Sequence, residues 1–557
     1  MKKWEVLTKL KTGSAKLKNE EVVKILLENR GIKTKKETEV FLSPKLSEVT
    51  IASVKISVPQ VKKSIARIKK AIKNKEQIVI FGDYDVDGIC GTAILWETLN
   101  DLGAKVTPYI PNRLDEGYGL SLKGIQNLKS KVQNTKLIIT VDNGIVANKA
   151  VDFANKQGID VIITDHHVPS KTLPKAFSIV HTTLLCGTGV AYLLAEELKI
   201  KNLKFKIKQD DHLGLVALAT VSDLVSLLGA NRTLLKFGLL ELHQTKRPGL
   251  LALFKEAQIN QNSIGVYEIG HIIAPRLNAM GRLESAMDSL RLVCTTNKER
   301  GAELAYKLAS TNKERQNVTE EAVLHAKAKV RTSAFEKEKL LFVSDESYEQ
   351  GVIGLVAGRL VEEFYIPSIV ISKGKIYSKA SARSISGFNI IEFIRNELEL
   401  LVDVGGHPMA AGFAVETAKL PLLEKKLKKL AGELLDEEKL KRSLRIDLEI
   451  PALNLTQDLF DAIQALQPFG MKNPEPTFLS RNLVIEDLRL VGNGSKHLKL
   501  KFRVQSPELR VEGIAFGMGE GNGFKIGDNV DVVYNLSENE WNGNKKIQLK
   551  IKDIEKD

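Results

Sequence analysis

The stretch Ile78-Val79-Ile80-Phe81-Gly82-Asp83-Tyr84-Asp85-Val86-Asp87-Gly88 decides how the first half of the chain is read. Four apolar residues ended by a glycine form a short buried strand, and the segment from Ile89 to Leu102 has helical periodicity closed by Gly103. The strand, loop and helix then recur. Leu137-Ile138-Ile139-Thr140-Val141 precedes Asp142-Asn143-Gly144 and a helical stretch to Gly158, and Val161-Ile162-Ile163-Thr164 precedes Asp165-His166-His167. Continuous apolar strands alternating with amphipathic helices indicate a parallel sheet covered on both faces, so this region is expected to be a doubly wound α/β domain.

Outward from that core, the first segment, to about Val54, mixes helical periodicity with a Phe41-Leu42-Ser43-Pro44 stop and reads as a small helical arm, residues 1–54. The α/β domain spans 55–297, with helical character after Asp223, and a long polar helical stretch from about Lys298 to Val330 serves as a connector, residues 298–335. A second, smaller α/β unit begins at Leu340-Leu341-Phe342-Val343 and occupies 336–437. From 443 to 557 short alternating strands such as Leu498-Lys499-Leu500-Lys501-Phe502-Arg503, with turns at Gly492-Asn493-Gly494 and Asn542-Gly543-Asn544, indicate a small β-barrel.

The acidic loop holds three carboxylates at alternate positions directly after a buried strand, and such groups repel one another unless a cation neutralises them. A calcium-binding EF-hand loop begins the same way, but its twelfth position needs a bidentate Glu and here is Ile94, and a strand stands where a helix should flank it. A solvated acidic turn is the bland alternative. Against it, Asp142 and Asp165-His166-His167 follow the next two strands, and ligand sites in open parallel sheets lie beyond the carboxyl ends of the strands. Asp223, an acid inside the apolar stretch from Leu213 to Leu228, is costly to bury unless paired or bound to metal, although a helix-capping role accounts for it equally well in isolation. Carboxylates mixed with imidazoles favour Mn²⁺ or Mg²⁺ over a thiolate-type zinc site.

In order along the chain, Gly82-Asp83-Tyr84-Asp85-Val86-Asp87-Gly88, Asp142-Asn143-Gly144-Ile145, Thr164-Asp165-His166-His167 and Thr220-Val221-Ser222-Asp223 resemble the successive motifs of the DHH phosphoesterase superfamily. Arg276-Leu277-Asn278-Ala279-Met280-Gly281-Arg282, Gly351-Val352-Ile353-Gly354 and Ser381-Ala382-Arg383-Ser384-Ile385 resemble its RecJ-type single-strand DNA exonucleases. Gly405-Gly406-His407-Pro408-Met409-Ala410-Ala411-Gly412 is similar to the DHH-associated domain, and Pro468-Phe469-Gly470 with Asn473-Pro474-Glu475-Pro476 to the RecJ-type OB-fold domain. The chain departs from that pattern at Tyr348-Glu349, where Trp-His is expected, and at Val180-His181-Thr182, where an Asn-Pro pair is expected; Asp83 takes the place of an upstream His.

The resemblance implies hydrolysis of single-stranded DNA from a 5′ end, in repair and recombination, with two divalent ions. Asp83, Asp85 and Asp142 would hold one ion, and Asp87, Asp142, His166 and Asp223 the other. His167 would face the scissile phosphate while Asp165 orients an imidazole. Arg113, Arg282, Ser381 and Arg383 match positions that take the terminal phosphate, for which the guanidinium fork is apt. Gly405, Gly406 and His407 would let backbone approach the strand, although an ordinary turn explains them as well. In the barrel, Phe502, Phe516, Tyr534 and Trp541 divide between core and base stacking. A single-strand-binding protein and a repair helicase are the implied partners.

The composition agrees: Lys and Arg number 82 against 68 acids, and the net charge of +14 attracts polyanions. Cys90, Cys186 and Cys294 form no CxxC spacing, and Met1-Lys2-Lys3-Trp4-Glu5 opens no signal peptide. The expectation is a cytoplasmic protein with no membrane segment. Two rival functions remain. A DHH phosphodiesterase of short oligoribonucleotides or cyclic dinucleotides would have less need of the barrel, and a nuclease-dead nucleic-acid-binding scaffold would have no reason to keep so many repelling carboxylates together.

Overall fold

The computed structural model describes residues 2–8, 17–113, 115–200, 211–332, 338–504, 510–519, 523–541 and 544–556. After an N-terminal strand β1 (Lys3–Thr8) come β2 (Gln77–Phe81), β3 (Val106–Tyr109), β4 (Thr135–Val141), β5 (Asp160–Asp165) and β6 (Ser178–His181). These last five form one sheet in the order β3-β2-β4-β5-β6, with every neighbouring pair parallel. Ile78, Ile80, Leu137, Ile139 and Ile162 enter one core, and Val79, Phe81, Ile138, Val161 and Ile163 enter another. Burial on both faces is why these strands read as unbroken apolar runs. The chain leaves β2 toward β3 on one side and toward β4 on the other, so the crevice between β2 and β4 is the topological switch point.

The helix after β2 is Val86–Asp101 and starts three residues before the Ile89 read from periodicity. Its N-cap is Asp85, whose carboxylate accepts from the backbone N–H of Asp87 (3.0 Å) and Gly88 (3.1 Å). Asp85 and Asp87 therefore sit on the first turn, where the unsatisfied N–H groups favour negative charge. Helices Gly187–Ile200 and His212–Ser222 pack beside it, and Asp223 is the C-cap of the latter.

Helix Lys298–Thr332 is shared by two cores. Leu304, Ala305 and Leu308 pack into the first domain, while Ala322, Val323, Ala326 and Val330 pack with Leu341, Val343 and Val356 of the second. That second domain is a sheet of β7 (Leu341–Asp345), β8 (Ser368–Ser372), β9 (Tyr377–Arg383), β10 (Leu401–His407) and β11 (Ala410–Glu416) in the order β10-β11-β9-β8-β7.

The last strands are β12 (Ser443–Glu449), β13 (Phe478–Val491), β14 (His497–Arg503), β15 (Arg510–Ala515), β16 (Asn529–Trp541) and β17 (Asn544–Lys556). Strands β13-β14-β15-β17-β16 close into a five-stranded barrel because β16 pairs back onto β13. Phe478, Phe502, Tyr534 and Leu549 fill it.

The opening segment is not the purely helical arm expected. Strand β1 pairs in parallel with β12, and its Trp4 and Val6 pack on Ile446, Leu479 and Val533. Helices Asn19–Asn29 and Lys35–Leu42 place Val22, Leu26, Leu27 and Phe41 in the barrel's own core. The alternation Lys3-Trp4-Glu5-Val6-Leu7-Thr8 is the signal for a half-buried strand, but the partner it needs lies more than four hundred residues away.

Of the barrel aromatics, Phe502 and Tyr534 are fully buried, whereas Phe516 is 53% exposed. The Trp541 side chain and the Asn542-Gly543 turn lie outside the described residues. Among the described residues no helix is long and apolar enough to cross a membrane.

Candidate metal centre and phosphate pocket

The carboxyl ends of β2, β4 and β5 and the end of helix His212–Ser222 converge on one point. Ligand-type atoms of Asp83, Asp85 and Asp142 lie within 4.8 Å of one another, as do those of Asp87, His166 and Asp223, and those of Asp142, His166 and His167. His166 Nε2 stands 3.1 Å from Asp142 Oδ1, 3.5 Å from Asp223 Oδ2 and 3.7 Å from Asp87 Oδ2. Asp142 belongs to two of these groups and is held at a φ of 61°, left-handed backbone that costs an ordinary residue energy and turns its carboxylate into the crevice. The Gly187 backbone packs against it so closely that a Cβ there would come within 2.6 Å of the Asp142 Cβ.

Two residues have their oxygens claimed by the fold. Asp87 accepts from the N–H of Gly187 (2.7 Å) and Thr188 (2.6 Å) at the start of helix Gly187–Ile200, which aims its carboxylate. Asp165 accepts from the backbone of His166 (2.7 Å), His167 (3.1 Å) and Ile145 (2.8 Å), and from His167 Nδ1 (2.8 Å). That last bond fixes the His167 ring.

Other atoms make no hydrogen bond. Both oxygens of Asp83, Asp142 Oδ1 and His166 Nε2 are buried with no hydrogen bond. Orphaned buried acceptors of this kind cost stability unless something else satisfies them, and a hard cation suits oxygen and imidazole donors at this spacing. The residues fit divalent metal.

Burial, and then the neighbouring carboxylates, push Asp83, Asp85 and Asp142 above the usual carboxylate range. Asp223 is pushed up to about 9 by burial, then by Asp87 and Asp85. Burial lowers His166, so it offers a neutral imidazole. His167 moves the other way: against the effect of burial, the bond to Asp165 raises it, and the same bond outweighs burial to hold Asp165 low.

The second domain closes over this crevice. The His407 ring lies stacked 6.4 Å from that of His167. Gly406 has a φ of 144°, and a Cβ there would meet the Ala410 carbonyl at 2.3 Å, so it serves its own β10–β11 hairpin; a Cβ on Gly405 would meet nothing. Arg113, Arg282, Ser381 and Arg383 are gathered beside the candidate ligands: the Arg113 charge acts on Asp83, and Arg113 and Arg383 both act on Arg282. Arg113 stacks over the Tyr84 ring at 5.1 Å, Arg282 Nη1 donates to the Gly351 carbonyl at 3.0 Å, and Arg383 Nη1 donates to Ser381 Oγ at 3.3 Å. Burial lowers the Arg282 guanidinium to about 10, with help from Arg113, Arg315 and Arg383.

Family models match three regions: the N-terminal domain of the DHH family over residues 77–220, the DHHA1 domain over 337–433 and the RecJ OB domain over 446–553. The single-stranded-DNA-specific exonuclease RecJ of Bacillus subtilis is 36% identical across 99% of this chain and 70% of its own length. The chain belongs to the RecJ family. Its fold agrees with RecJ of Thermus thermophilus in complex with Mn²⁺, at a TM-score of 0.82 and 29% identity over 100% of this chain and 80% of that one. The same RecJ in complex with Mg²⁺ gives 0.77 and 27% over 99% and 78%.

Within this RecJ site are residues that the sequence reading did not single out. The Tyr118 hydroxyl lies 3.0 Å from His167 Nε2, and its ring meets Tyr84 and His167 edge-on. Its position between Gly117 and Gly119 was the available signal. Asn143 donates to the Phe81 and Val141 carbonyls and accepts from the Leu120 N–H, tying the β2 and β4 loops together. Asn278 Oδ1 accepts from the Val86 N–H at 3.0 Å. His181, at one departure from the RecJ pattern, bonds the His167 carbonyl at 2.7 Å, and Tyr348, at the other, is buried edge-on against His325.

Proposed function

We propose that the chain hydrolyses single-stranded DNA from a 5′ end with two divalent ions, Mn²⁺ or Mg²⁺, releasing nucleotides. The observation that carries this reading is the set of buried, unpartnered atoms on Asp83, Asp142 and His166 at the switch point of the sheet. Asp83, Asp85 and Asp142 would hold one ion, and Asp87, Asp142, His166 and Asp223 the other. A bound ion pair supplies activation of the attacking water and neutralisation of the leaving oxygen.

The chain's own residues do the rest. His167, raised against burial by its bond to Asp165, faces the scissile phosphate, and Asp165, held low by the same bond, fixes that ring. Arg113, Arg282, Ser381 and Arg383 bind the terminal 5′-phosphate, setting the register in which the first diester meets the metal ligands. Gly405 and His407 approach from the second domain. The barrel binds the strand behind the site, which disfavours dinucleotides as the main substrate. Repair and recombination in the cytoplasm, beside a single-strand-binding protein and a helicase, is the setting we infer.

Replacing Asp142 by Ala and following degradation of 5′-phosphorylated single strands in Mn²⁺ tests the reading. Loss of activity with strand binding retained is expected, and retained hydrolysis would remove Asp142 from its shared position.

A further inference from the structure

Arg315 stands on helix Lys298–Thr332, the connector, whose sequence suggested only a strut. One turn earlier, Thr311 Oγ1 donates to Glu284 Oε1 at 3.1 Å, two residues past Arg282. Residues four apart share a helix face, so Arg315 is turned toward the same end of helix Ala274–Leu283. Arg282 itself reaches across to the Gly351 carbonyl, and the Thr311–Glu284 bond brings this face of the connector to the end of the helix that carries it.

The Arg315 side chain is poorly satisfied. Its Nη2 donates to Asn312 Oδ1 at 2.7 Å, but its Nε is buried with no acceptor. Among the described residues no carboxylate lies within ion-pair distance of Arg113, Arg282, Arg315 or Arg383, whereas Arg359 nearby is neutralised by Glu362 at 2.8 Å. Burial and then Arg359 lower the Arg315 guanidinium, and Arg315 in turn weighs on Arg282. A buried N–H without an acceptor and crowded guanidiniums without an ion-pair partner are both relieved by one thing, an anion.

We propose that Arg315 is a specificity residue for the 5′ end: with Arg282 it donates to a terminal phosphomonoester, so that the connector helix takes part in end recognition. This rests on the end-recognition reading above. Four guanidiniums face a group carrying about two negative charges, and the attraction favours a doubly charged terminal phosphate over a singly charged internal diester.

The test is kcat/KM on matched 5′-phosphorylated and 5′-hydroxyl single strands in Mn²⁺, for the full chain and for Arg315→Gln and Arg315→Lys. Arg315→Gln is expected to shrink the 5′-phosphate preference about tenfold, the loss falling on the phosphorylated strand, with Arg315→Lys restoring part of it because charge returns without the fork. A purely structural role would lower both substrates together, and that result overturns the proposal, as does an unchanged preference in a folded Arg315→Gln. If the unmodified protein prefers neither end, the end-recognition reading fails and takes this inference with it. If it discriminates and Arg315→Gln does so equally well, only the role of Arg315 falls.

Discussion

Asp223→Asn should stabilise the chelator-stripped protein while weakening its response to metal. Asp223 is pushed up to about 9 from an ordinary 3.8, by burial first and then by the Asp87 and Asp85 charges. A carboxyl raised in the folded state contributes its full stability below its unfolded value, and that stability is lost as pH rises through the folded one, here from about 4 to about 9. At pH 7 about three units of that interval have been crossed, which for a lone carboxyl corresponds to about 4 kcal/mol. Part of that shift belongs to the coupled Asp87 and Asp85, so a neutral amide, which needs no proton to sit beside them, recovers roughly half, about 2 kcal/mol. For a domain of this size that is a rise in Tm of about 4–8 °C.

Differential scanning fluorimetry of both proteins in EDTA from pH 5 to pH 8 measures it. The gain should be largest at pH 8 and shrink to under about 1 kcal/mol at pH 5, where only about one unit of the interval has been crossed. Added Mn²⁺ should raise the unsubstituted protein more than the variant. If stripped Asp223→Asn melts at or below the unsubstituted protein at pH 8, the carboxylates are not repelling one another as described.

Three other substitutions probe separate parts of the argument. Gly187→Ala drives a Cβ within 2.6 Å of the Asp142 Cβ, so the Mn²⁺ concentration for half-activation should rise at least about tenfold while circular dichroism stays unchanged. Tyr118→Phe removes only the hydroxyl 3.0 Å from His167 Nε2; kcat should fall about fivefold with KM unaltered, and an unchanged kcat would mean that the ring, which Phe keeps, matters more than the hydroxyl. Arg30→Ala removes a buried guanidinium bonded to Asn473 at 2.7 Å and to Asp447 at 3.2 Å, leaving Asp447 unpaired, and should cost about 3–5 kcal/mol of barrel stability in denaturant unfolding.

The sheet was legible in the sequence because burial on both faces leaves Ile78-Val79-Ile80-Phe81 without a polar residue and its two counterparts with one threonine each, and the three strand ends carrying acids and imidazoles followed from that sheet. Strand β1 was not, since a six-residue alternation has no meaning until β12 lies beside it. The start of the helix at Val86 was hidden for a related reason: Asp85 was read for its charge, and its second task as a helix cap depends on backbone geometry that the spacing of carboxylates does not encode.

The limits of the site reading follow from distance along the chain. Asp83, Asp142 and His166 end strands of one sheet, so a single topological rule brings them together. Arg315 and His407 meet the pocket only because helix Lys298–Thr332 is anchored at its start in the first core and at its end in the second, which fixes where the second sheet stands. A polar helix face offers no periodic signal that separates solvated residues from those turned into a pocket. Arg315 shows the consequence: four positions after Thr311 it is one more charge in the sequence, and only the unpartnered Nε beside Arg282 marks it as a group waiting for an anion.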